Sequence, residues 1–395
     1  MPILANTDNC TGCCSCLNAC PRNAIKMKED HEGFLMPEVD SSKCIECGAC
    51  VKSCPIISDV PNDNERIDSF PKVYALWSYP DREKSSSGGA FSALARWTFE
   101  KGGVVFGAVL DDDFNCHHTV AECIDELEPL RGSKYIQSYM DDCYKKAKDY
   151  LRQGRYVLFT GTPCQIAGLK CFLKKSYDKL IAVDLVCHGV PSNAVFKAYL
   201  EKLRIQNPAF NNAEQFQFRK LDGWGKETSA KLGKQRKIMW GINDLYMEAF
   251  DKSAIFRKSC SQCRYAMIPR ISDITIADFW GIGKHGTKFQ HQINKGVSLV
   301  LANNVFGNRI VEQLENCFVE ERDMDEATAE NPNVYMSTDS NVIRGDVINA
   351  FINSDSSLLE IEKKFHLIDK SLKGRIKRGL KMLGLLSIVK KILRI

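Results

Sequence analysis

Apolar and polar residues alternate along the middle of the chain in a pattern that predicts strands separated by helices. Short apolar segments predict strands at residues 73–79, 104–110, 156–160, 180–186, 273–279 and 296–302. Stretches of helical periodicity predict helices at about 88–100, 141–152, 193–203 and 244–256. This alternation is typical of an α/β fold with a largely parallel sheet. Residues 215–240, in contrast, favour antiparallel strands.

The first 54 residues contain a duplicated cysteine motif. The spacing C-x2-C-x2-C-x3-C, followed each time by proline, occurs at Cys10, Cys13, Cys16 and Cys20 and again at Cys44, Cys47, Cys50 and Cys54. In such a run three thiolates bind one 4Fe–4S cube and the fourth reaches across to a second cube. The expected ligand sets are therefore Cys10, Cys13, Cys16 and Cys54 for one cluster, and Cys44, Cys47, Cys50 and Cys20 for the other.

An alternative interpretation of the motif is a pair of zinc sites, because four thiolates also suit tetrahedral zinc. Zinc modules usually separate two cysteine pairs by a long loop, whereas each run here places four cysteines within eleven residues. Iron–sulfur chemistry is therefore favoured. Residues 33–40 predict a short hairpin between the two runs. Cys14 is an additional thiol to which the pattern gives no role.

The composition of the 395-residue chain is that of a globular protein, with 44% hydrophobic and 26% charged residues. We expect no membrane-spanning helix and no secretory leader, because the chain has neither a long apolar run nor a basic-then-apolar start. The 18 cysteines, nine of them in the first 54 residues, are then expected in a reducing cytoplasmic setting. In that setting clustered cysteines indicate metal binding rather than disulfides.

The formal net charge of +5 is concentrated at the C-terminal end. Residues 366–395 carry +8, so the remainder of the chain carries −3 and a nucleic-acid partner is disfavoured. Leucine and isoleucine occupy one face of this tail and lysine and arginine the other. A basic amphipathic helix of this kind suits an anionic membrane surface. Docking on the protein's own body or on a partner is the alternative.

Four further cysteines, Cys164, Cys187, Cys260 and Cys263, lie outside the duplicated motif. The first two follow predicted strands, where α/β folds build their sites. From the spacing alone, the four either complete a third 4Fe–4S cluster or are ordinary buried cysteines. A third interpretation makes Cys164 a nucleophile at a helix start, with His188 as its base.

Several short motifs occur in an order that resembles the coenzyme F420 hydrogenase/dehydrogenase beta-subunit family. They are Gly88-Gly89 at a helix start, Gly132-Ser133-Lys134-Tyr135, Pro163-Cys164-Gln165, Cys187, Cys260-x2-Cys263 and Ala277-Asp278. The resemblance covers about residues 73–330 and implies a third 4Fe–4S cluster held by Cys164, Cys187, Cys260 and Cys263. It also implies FAD near Ser87, Gly88, Gly89, Lys134, Tyr135, Gly161 and Thr162.

Together these features predict an α+β or α/β protein in five parts. They are a two-cluster ferredoxin-type module (1–58), a linker (59–72), a mixed α/β flavin and iron–sulfur body (73–330), a partly helical connector (331–365) and the basic tail (366–395). We expect the body to belong to an oxidoreductase.

The expected reaction passes electrons between a low-potential donor, a ferredoxin or another redox protein, and an unidentified two-electron organic acceptor. The flavin would couple the one-electron clusters to that acceptor, with His188 as a candidate proton donor. Family members with this domain layout look like products of surface-polysaccharide gene sets, so a role in surface-polysaccharide metabolism is expected. The alternatives are a non-catalytic electron-transfer subunit of a partner enzyme, or a membrane-associated accessory protein of glycan assembly.

Overall fold

The computed structural model describes residues 1–61, 71–221, 223–226, 228–239, 241–371, 374 and 376. Most of the predicted linker, and nearly all of the predicted basic tail after Ser371, lie outside the described residues. In the described part, no helix is both long and apolar enough to cross a bilayer.

The described chain contains thirteen strands and eleven α-helices. The strands are β1 (Ile25–Glu29), β2 (Leu35–Val39), β3 (Lys72–Ser78), β4 (Val104–Leu110), β5 (Cys116–Ala121), β6 (Val157–Gly161), β7 (Leu180–Leu185), β8 (Ala213–Gln217), β9 (Ser229–Leu232), β10 (Gln235–Ile238), β11 (Ile274–Asp278), β12 (Ser298–Ala302) and β13 (Cys317–Arg322). The helices are α1 (Ser15–Ala19), α2 (Ala49–Lys52), α3 (Ala90–Glu100), α4 (Cys143–Arg152), α5 (Pro163–Leu173), α6 (Asn193–Gln206), α7 (Leu245–Asp251), α8 (Val305–Glu312), α9 (Met324–Ala329), α10 (Arg344–Ile352) and α11 (Leu358–Phe365).

Eight strands form the central mixed sheet, in the order β13-β3-β12-β11-β7-β6-β4-β5. The mixed α/β fold class is thereby confirmed, but the expectation of a largely parallel sheet is wrong. Only β4, β6, β7 and β11 pair in parallel, and the flanking pairs are antiparallel. The reason lies in the connections: a five-residue turn joins β4 to β5, and an irregular segment joins β11 to β12. Neither connection contains the crossover helix that parallel pairing needs.

The two faces of this sheet are covered by different parts of the chain. Residues of α3 and α8 pack with one set of strand side chains, including Val105, Leu158 and Ile181. Residues of α4 and α5 pack with the alternate set, including Phe106 and Phe159. The strands are apolar on both faces because both faces are covered, which explains why their sequences are nearly continuous apolar runs.

Two smaller sheets complete the strand inventory of the described residues. The hairpin β1–β2 lies between the two cysteine runs, as the sequence predicts. Strands β8, β9 and β10 form an antiparallel sheet within the region for which antiparallel strands are expected. Helices α6, α7, α10 and α11 share a buried apolar cluster with this sheet.

The same cluster extends to the edge of the described chain. Leu367 and Ile368 are buried in it, although both fall within the predicted tail. The chain therefore contributes to the core of the body up to Ile368, and a basic segment separate from that core can begin only after this residue.

Candidate functional site

The second predicted ligand set encloses a small cavity near the surface. Cys20, Cys44, Cys47 and Cys50 all line this cavity, whose volume is about 20 Å³. Cys47 is exposed, whereas Cys50 is buried at the start of α2. Gly48 caps α2 with a positive φ of 70°, a conformation that glycine adopts without strain. Four thiols around one space near solvent match the donor set that a 4Fe–4S cluster needs.

The first predicted ligand set is more deeply placed. Cys10 and Cys13 are buried, and Cys16 and Cys54 are partly buried. The charges of Cys10 and Cys54 both act on the Cys16 thiol, so these groups lie close together. The Gly12 N–H donates to the Cys10 sulfur at 3.4 Å. Such N–H···S hydrogen bonds are one of the means by which a protein adjusts a cluster.

This first cysteine run packs directly on helix α5 of the body. The Ser15 hydroxyl donates to the Gly168 carbonyl at 2.9 Å, and the Tyr144 hydroxyl lies 2.9 Å from the Cys13 carbonyl, to which it donates. A Cβ atom added to Gly168 would lie only 3.0 Å from the Cys13 sulfur and 3.2 Å from the Tyr144 hydroxyl. Glycine at position 168 therefore allows α5 to approach Cys13 closely.

Helix α5 also positions the first of the four remaining cysteines. Thr162 and Gln165 form a capping box, and Pro163 occupies the first turn, so the helix begins immediately after β6. Cys164 is thereby fixed at the carboxyl end of β6, and Cys187 follows β7 two residues after its end. Cys260 and Cys263 come from the short 3₁₀ turn Lys258–Gln262 and the residue after it.

All four of these cysteines line one cavity of about 60 Å³. The Val190 N–H donates to the Cys260 sulfur at 3.3 Å, and the Thr162 hydroxyl lies 3.2 Å from the Cys164 sulfur. The donor set, four thiols around a buried space with polar hydrogens directed at sulfur, fits a 4Fe–4S cluster. Asn9, Thr11 and Ile56 of the N-terminal module line the same cavity, so the first cysteine set is its neighbour.

A single metal ion has a different requirement from a cluster. Within the described residues, no group of three or more His, Cys, Asp and Glu side chains is arranged to hold one ion. In a 4Fe–4S cube each thiolate binds a separate iron corner, so its sulfurs are spread more widely than those around one tetrahedral ion.

The alternative in which Cys164 is a nucleophile is disfavoured by its surroundings. Burial raises the pKa of the free Cys164 thiol to about 12, despite the nearby Thr162 hydroxyl. A reactive cysteine needs an electropositive site that lowers its pKa. His188 lines the same cavity, but its ring hydrogen-bonds with Asn333.

A second, larger cavity of about 300 Å³ opens beside the four-cysteine cavity. It lies at the carboxyl ends of β6, β7 and β11 and at the start of α3, as expected for ligand sites in α/β sheets. Its volume is at the lower end of the roughly 300–1,000 Å³ typical of small-molecule sites. The two cavities share the wall formed by Thr11, Cys164, Cys187, His188, Gly189 and Val190.

Most residues predicted to contact a flavin line this larger cavity. They are Ser87, Gly89, Lys134, Tyr135, Gly161 and Thr162. Gly88 is placed elsewhere: a Cβ atom there would lie 2.1 Å from the Leu76 carbonyl and 2.6 Å from the Ser298 nitrogen. Gly88 thus lets two strands approach the start of α3. Gly89, with φ of 90°, is the N-cap of this helix.

Two basic residues, Arg131 and Lys134, border the cavity. The buried Arg131 side chain pairs with Asp81 at 2.8 Å through one terminal nitrogen, but its Nη1 has no hydrogen-bond partner. Lys134 donates to the Pro129 and Arg131 carbonyls at 2.9 and 2.7 Å. Burial lowers the pKa of Lys134 to about 8. An unpaired guanidinium nitrogen beside a helix start suits a phosphate group.

Sequence reasoning missed several residues of this cavity. Arg219 forms a buried ion pair with Asp278 at 2.5 Å, and its Nη2 donates to the Ser86 carbonyl at 3.0 Å. His118 is buried, with Nε2 donating to the Thr160 carbonyl at 3.0 Å and Nδ1 left without a partner. Burial lowers the pKa of His118 to about 4, so its ring is neutral near pH 7. Only Asp278 carried a sequence signal, as part of the Ala277-Asp278 motif.

Comparison with known proteins identifies two domain families. Residues 9–56 match the 4Fe-4S dicluster domain. Residues 154–327 match the C terminus of the beta subunit of coenzyme F420 hydrogenase/dehydrogenase. These two matches confirm the resemblance that the ordered motifs and the cysteine repeat indicated.

The individual proteins that match share either a low sequence identity or only a short segment with this chain. An uncharacterized protein of Methanocaldococcus jannaschii is 23% identical over 341 residues, which cover 76% of this chain and 85% of that protein. The ferredoxin-type protein NapF of Haemophilus influenzae is 41% identical over 51 residues, 13% of this chain and 29% of that protein. The F420-reducing [NiFe] hydrogenase complex of Methanosarcina barkeri contains a chain that aligns with a TM-score of 0.44 and 15% identity, over 77% of this chain and 94% of that chain.

The close approach of α5 to Cys13 leads to a first prediction. We expect Gly168→Val to lower the iron content of the purified protein, because a branched side chain at position 168 must displace Cys13 or Tyr144. Iron per chain after oxygen-free purification measures the effect.

Gly345→Val is the matched control, because a Cβ atom at Gly345 meets no atom within 4 Å and Gly345 also lies in a helix. Equal iron contents in the Gly168 and Gly345 variants would contradict the proposed dependence of the cysteine run on this contact.

Proposed function

We propose that this chain, which joins a 4Fe–4S dicluster domain to a domain of the coenzyme F420 hydrogenase/dehydrogenase beta-subunit family, is an iron–sulfur flavoprotein oxidoreductase. It exchanges single electrons with a ferredoxin or a similar redox protein and an electron pair with an organic acceptor. FAD supplies the conversion between one-electron and two-electron transfer. Surface-polysaccharide metabolism and membrane contact through the basic tail, residues 366–395, stay predictions.

The observation that carries this proposal is the common wall of the two cavities. Cys164 and Cys187 border both the space enclosed by four thiols and the 300 Å³ cavity. A cluster in the first space and a flavin in the second would be separated by little more than these side chains. An electron needs no hydrogen-bonded route across so short a separation.

The cysteine sets form an ordered series from the surface to this wall. The set with Cys20, Cys44, Cys47 and Cys50 is the most exposed, and we assign it the contact with the external redox protein. The set with Cys10 and Cys13 lies between it and the four-cysteine cavity, since Cys13 is close enough to Cys164 for their charges to interact. In this assignment electrons pass one at a time from the exposed set inward.

Residues around the larger cavity would hold the flavin by complementary charge. The first-turn N–H groups of α3 and the unpaired Nη1 of Arg131 suit the pyrophosphate. The Arg219–Asp278 pair keeps a cation beside Tyr135 in the same cavity, where it would favour electron-rich ring atoms. His118, neutral near pH 7, contributes no charge.

The assignment of Arg131 predicts a specific loss of flavin. We expect Arg131→Gln to raise the Kd for FAD roughly 10- to 100-fold, because a charged hydrogen bond to the ligand contributes about 1.5–3 kcal/mol. Equilibrium dialysis of anaerobic protein gives the Kd, and iron per chain should stay at the wild-type value.

Arg96→Gln is the control for this variant. Arg96 also pairs with Asp81, at 2.7 Å, but it does not line the cavity. Its replacement should leave the Kd within about twofold of wild type, well below the ~1.4 kcal/mol that a tenfold change represents. Equal weakening in both variants would mean that the Asp81 network, rather than a contact from Arg131, supports the flavin.

The four-cysteine cavity gives a second prediction. We expect Cys187→Ser to lose about four iron atoms per chain, one cluster's complement, while it keeps its flavin. Flavin absorbance near 450 nm, followed after mixing with a reduced low-potential ferredoxin, should then bleach far more slowly than in wild type. Cys317→Ser, a change in a cysteine of edge strand β13, should affect neither quantity. A Cys187→Ser protein with all its iron and normal flavin reduction would remove the third cluster from the proposal.

A further inference from the structure

Arg257 is a buried cation at the contact between the N-terminal module and the body. Its side chain is almost fully buried, with the residue 3% exposed. Nη1 donates to the Cys10 carbonyl at 3.0 Å, and Nη2 donates to the Leu35 carbonyl at 2.9 Å and to Oε1 of Gln137 at 3.1 Å. Arg257 therefore holds together the first cysteine run, the β1–β2 hairpin and a residue of the larger cavity.

The charge of Arg257 has no carboxylate to balance it. Its hydrogen-bond acceptors are neutral, and in the described residues no carboxylate lies within ion-pair distance of its guanidinium group. Its Nε has no hydrogen-bond partner at all. The other buried arginines are paired: Arg270 with Asp184, Arg219 with Asp278 and Arg322 with Glu326. A buried charge without a counter-charge is strongly destabilising.

The first cysteine run, whose backbone the guanidinium group contacts, is one place from which a balancing negative charge can come. A Cβ atom added to Gly12 would lie 2.8 Å from Nη2 of Arg257, so the guanidinium group rests against the turn between Cys10 and Cys13. A 4Fe–4S cluster held by four thiolates has a net negative charge, and it gains one more negative charge when a single electron enters. A fixed buried cation therefore stabilises the reduced form over the oxidised form.

We infer that Arg257 is a positioning residue that raises the reduction potential of the cluster held by Cys10, Cys13, Cys16 and Cys54. The inference rests on the ligand set given under the proposed function, but not on the flavin. The step it affects is the transfer of one electron from the redox partner, by way of the exposed cysteine set, with no proton taken up. Because of Arg257, the inner cluster accepts this electron more readily than it would without the buried charge.

Full-length holoprotein, titrated with dithionite and monitored by EPR, gives the cluster potentials directly. We expect Arg257→Gln to lower the equilibrium constant for reduction of one cluster about tenfold, which is ~59 mV for a one-electron couple. Arg257→Lys should stay within about threefold of wild type, because it keeps the charge but not the planar fork. Equal shifts in the Gln and Lys variants would overturn the inference, since they would show that hydrogen bonding rather than charge is responsible.

Gln137→Glu provides an independent variant if Arg257→Gln fails to retain its iron. The carboxylate at position 137 would keep the hydrogen bond to Nη2 and neutralise the guanidinium charge in place. The same cluster should then lose about tenfold in its reduction constant. No shift in an iron-complete Gln137→Glu protein would also overturn the inference.

Arg344→Gln is the control for packing. The Arg344 guanidinium lies 5.4 Å from the centre of the Phe34 ring, and that of Arg257 lies 5.0 Å from it, but Arg344 pairs with Glu32. Its removal should change the reduction constant of the cluster held by Cys10, Cys13, Cys16 and Cys54 by no more than about twofold, well below the tenfold that is ~59 mV. A shift as large as that of Arg257→Gln would contradict a role for the unpaired charge. These potentials can be read in flavin-free protein, so failure of the flavin proposal would not obscure the result.

Discussion

The contact between the first cysteine run and helix α5 is the constraint on which the rest of the arrangement depends. Gly168 lets the helix approach Cys13, and Tyr144 and Ser15 fix that approach by hydrogen bonds to backbone carbonyls. The same helix carries Cys164 in its first turn, so one rigid element relates the N-terminal module to the four-cysteine cavity. A loop at this position would leave the separation of the two sites undefined, and electron transfer falls steeply with distance.

Burial and charge act together around this contact. In the two inner sets Cys10 and Cys13 are buried and the other cysteines are partly buried, whereas Cys47 of the outer set is exposed. A low dielectric constant strengthens the electrostatic interactions of every fixed charge near the inner sets. One unpaired arginine can therefore shift the reduction potential of a cluster there. The larger cavity has basic residues in its lining. Arg131 lies beside the start of a helix, and Arg219 is paired with an aspartate. This arrangement suits an anionic, aromatic ligand.

The sequence was most informative where chemistry is local. Ligand spacing in the cysteine repeat is a local feature and predicted the two N-terminal ligand sets, whereas the grouping of Cys164 and Cys187 with Cys260 and Cys263 was implied by the family resemblance. Strand β4 was predicted with its observed bounds, because its apolar run is bounded by glycine and aspartate residues. Strand β5 was missed because its His-His-Thr core is polar, and His118 was missed with it. The antiparallel pairing of the outer strands was also missed, because the pattern of apolar residues does not show how the chain connects one strand to the next.

Contacts between residues far apart in the chain could not be predicted from the sequence, for a different reason. Arg257 and Cys10 are 247 positions apart, and nothing in the neighbourhood of either residue indicates the other. The unpaired Nη1 of Arg131 likewise depends on where Asp81 is placed.

The iron, acid-labile sulfide and flavin content of the anaerobically purified chain tests the central claim most directly. Three clusters and a flavin require about twelve iron atoms and one FAD per chain. About eight iron atoms without flavin would contradict the account and leave the chain as an electron carrier.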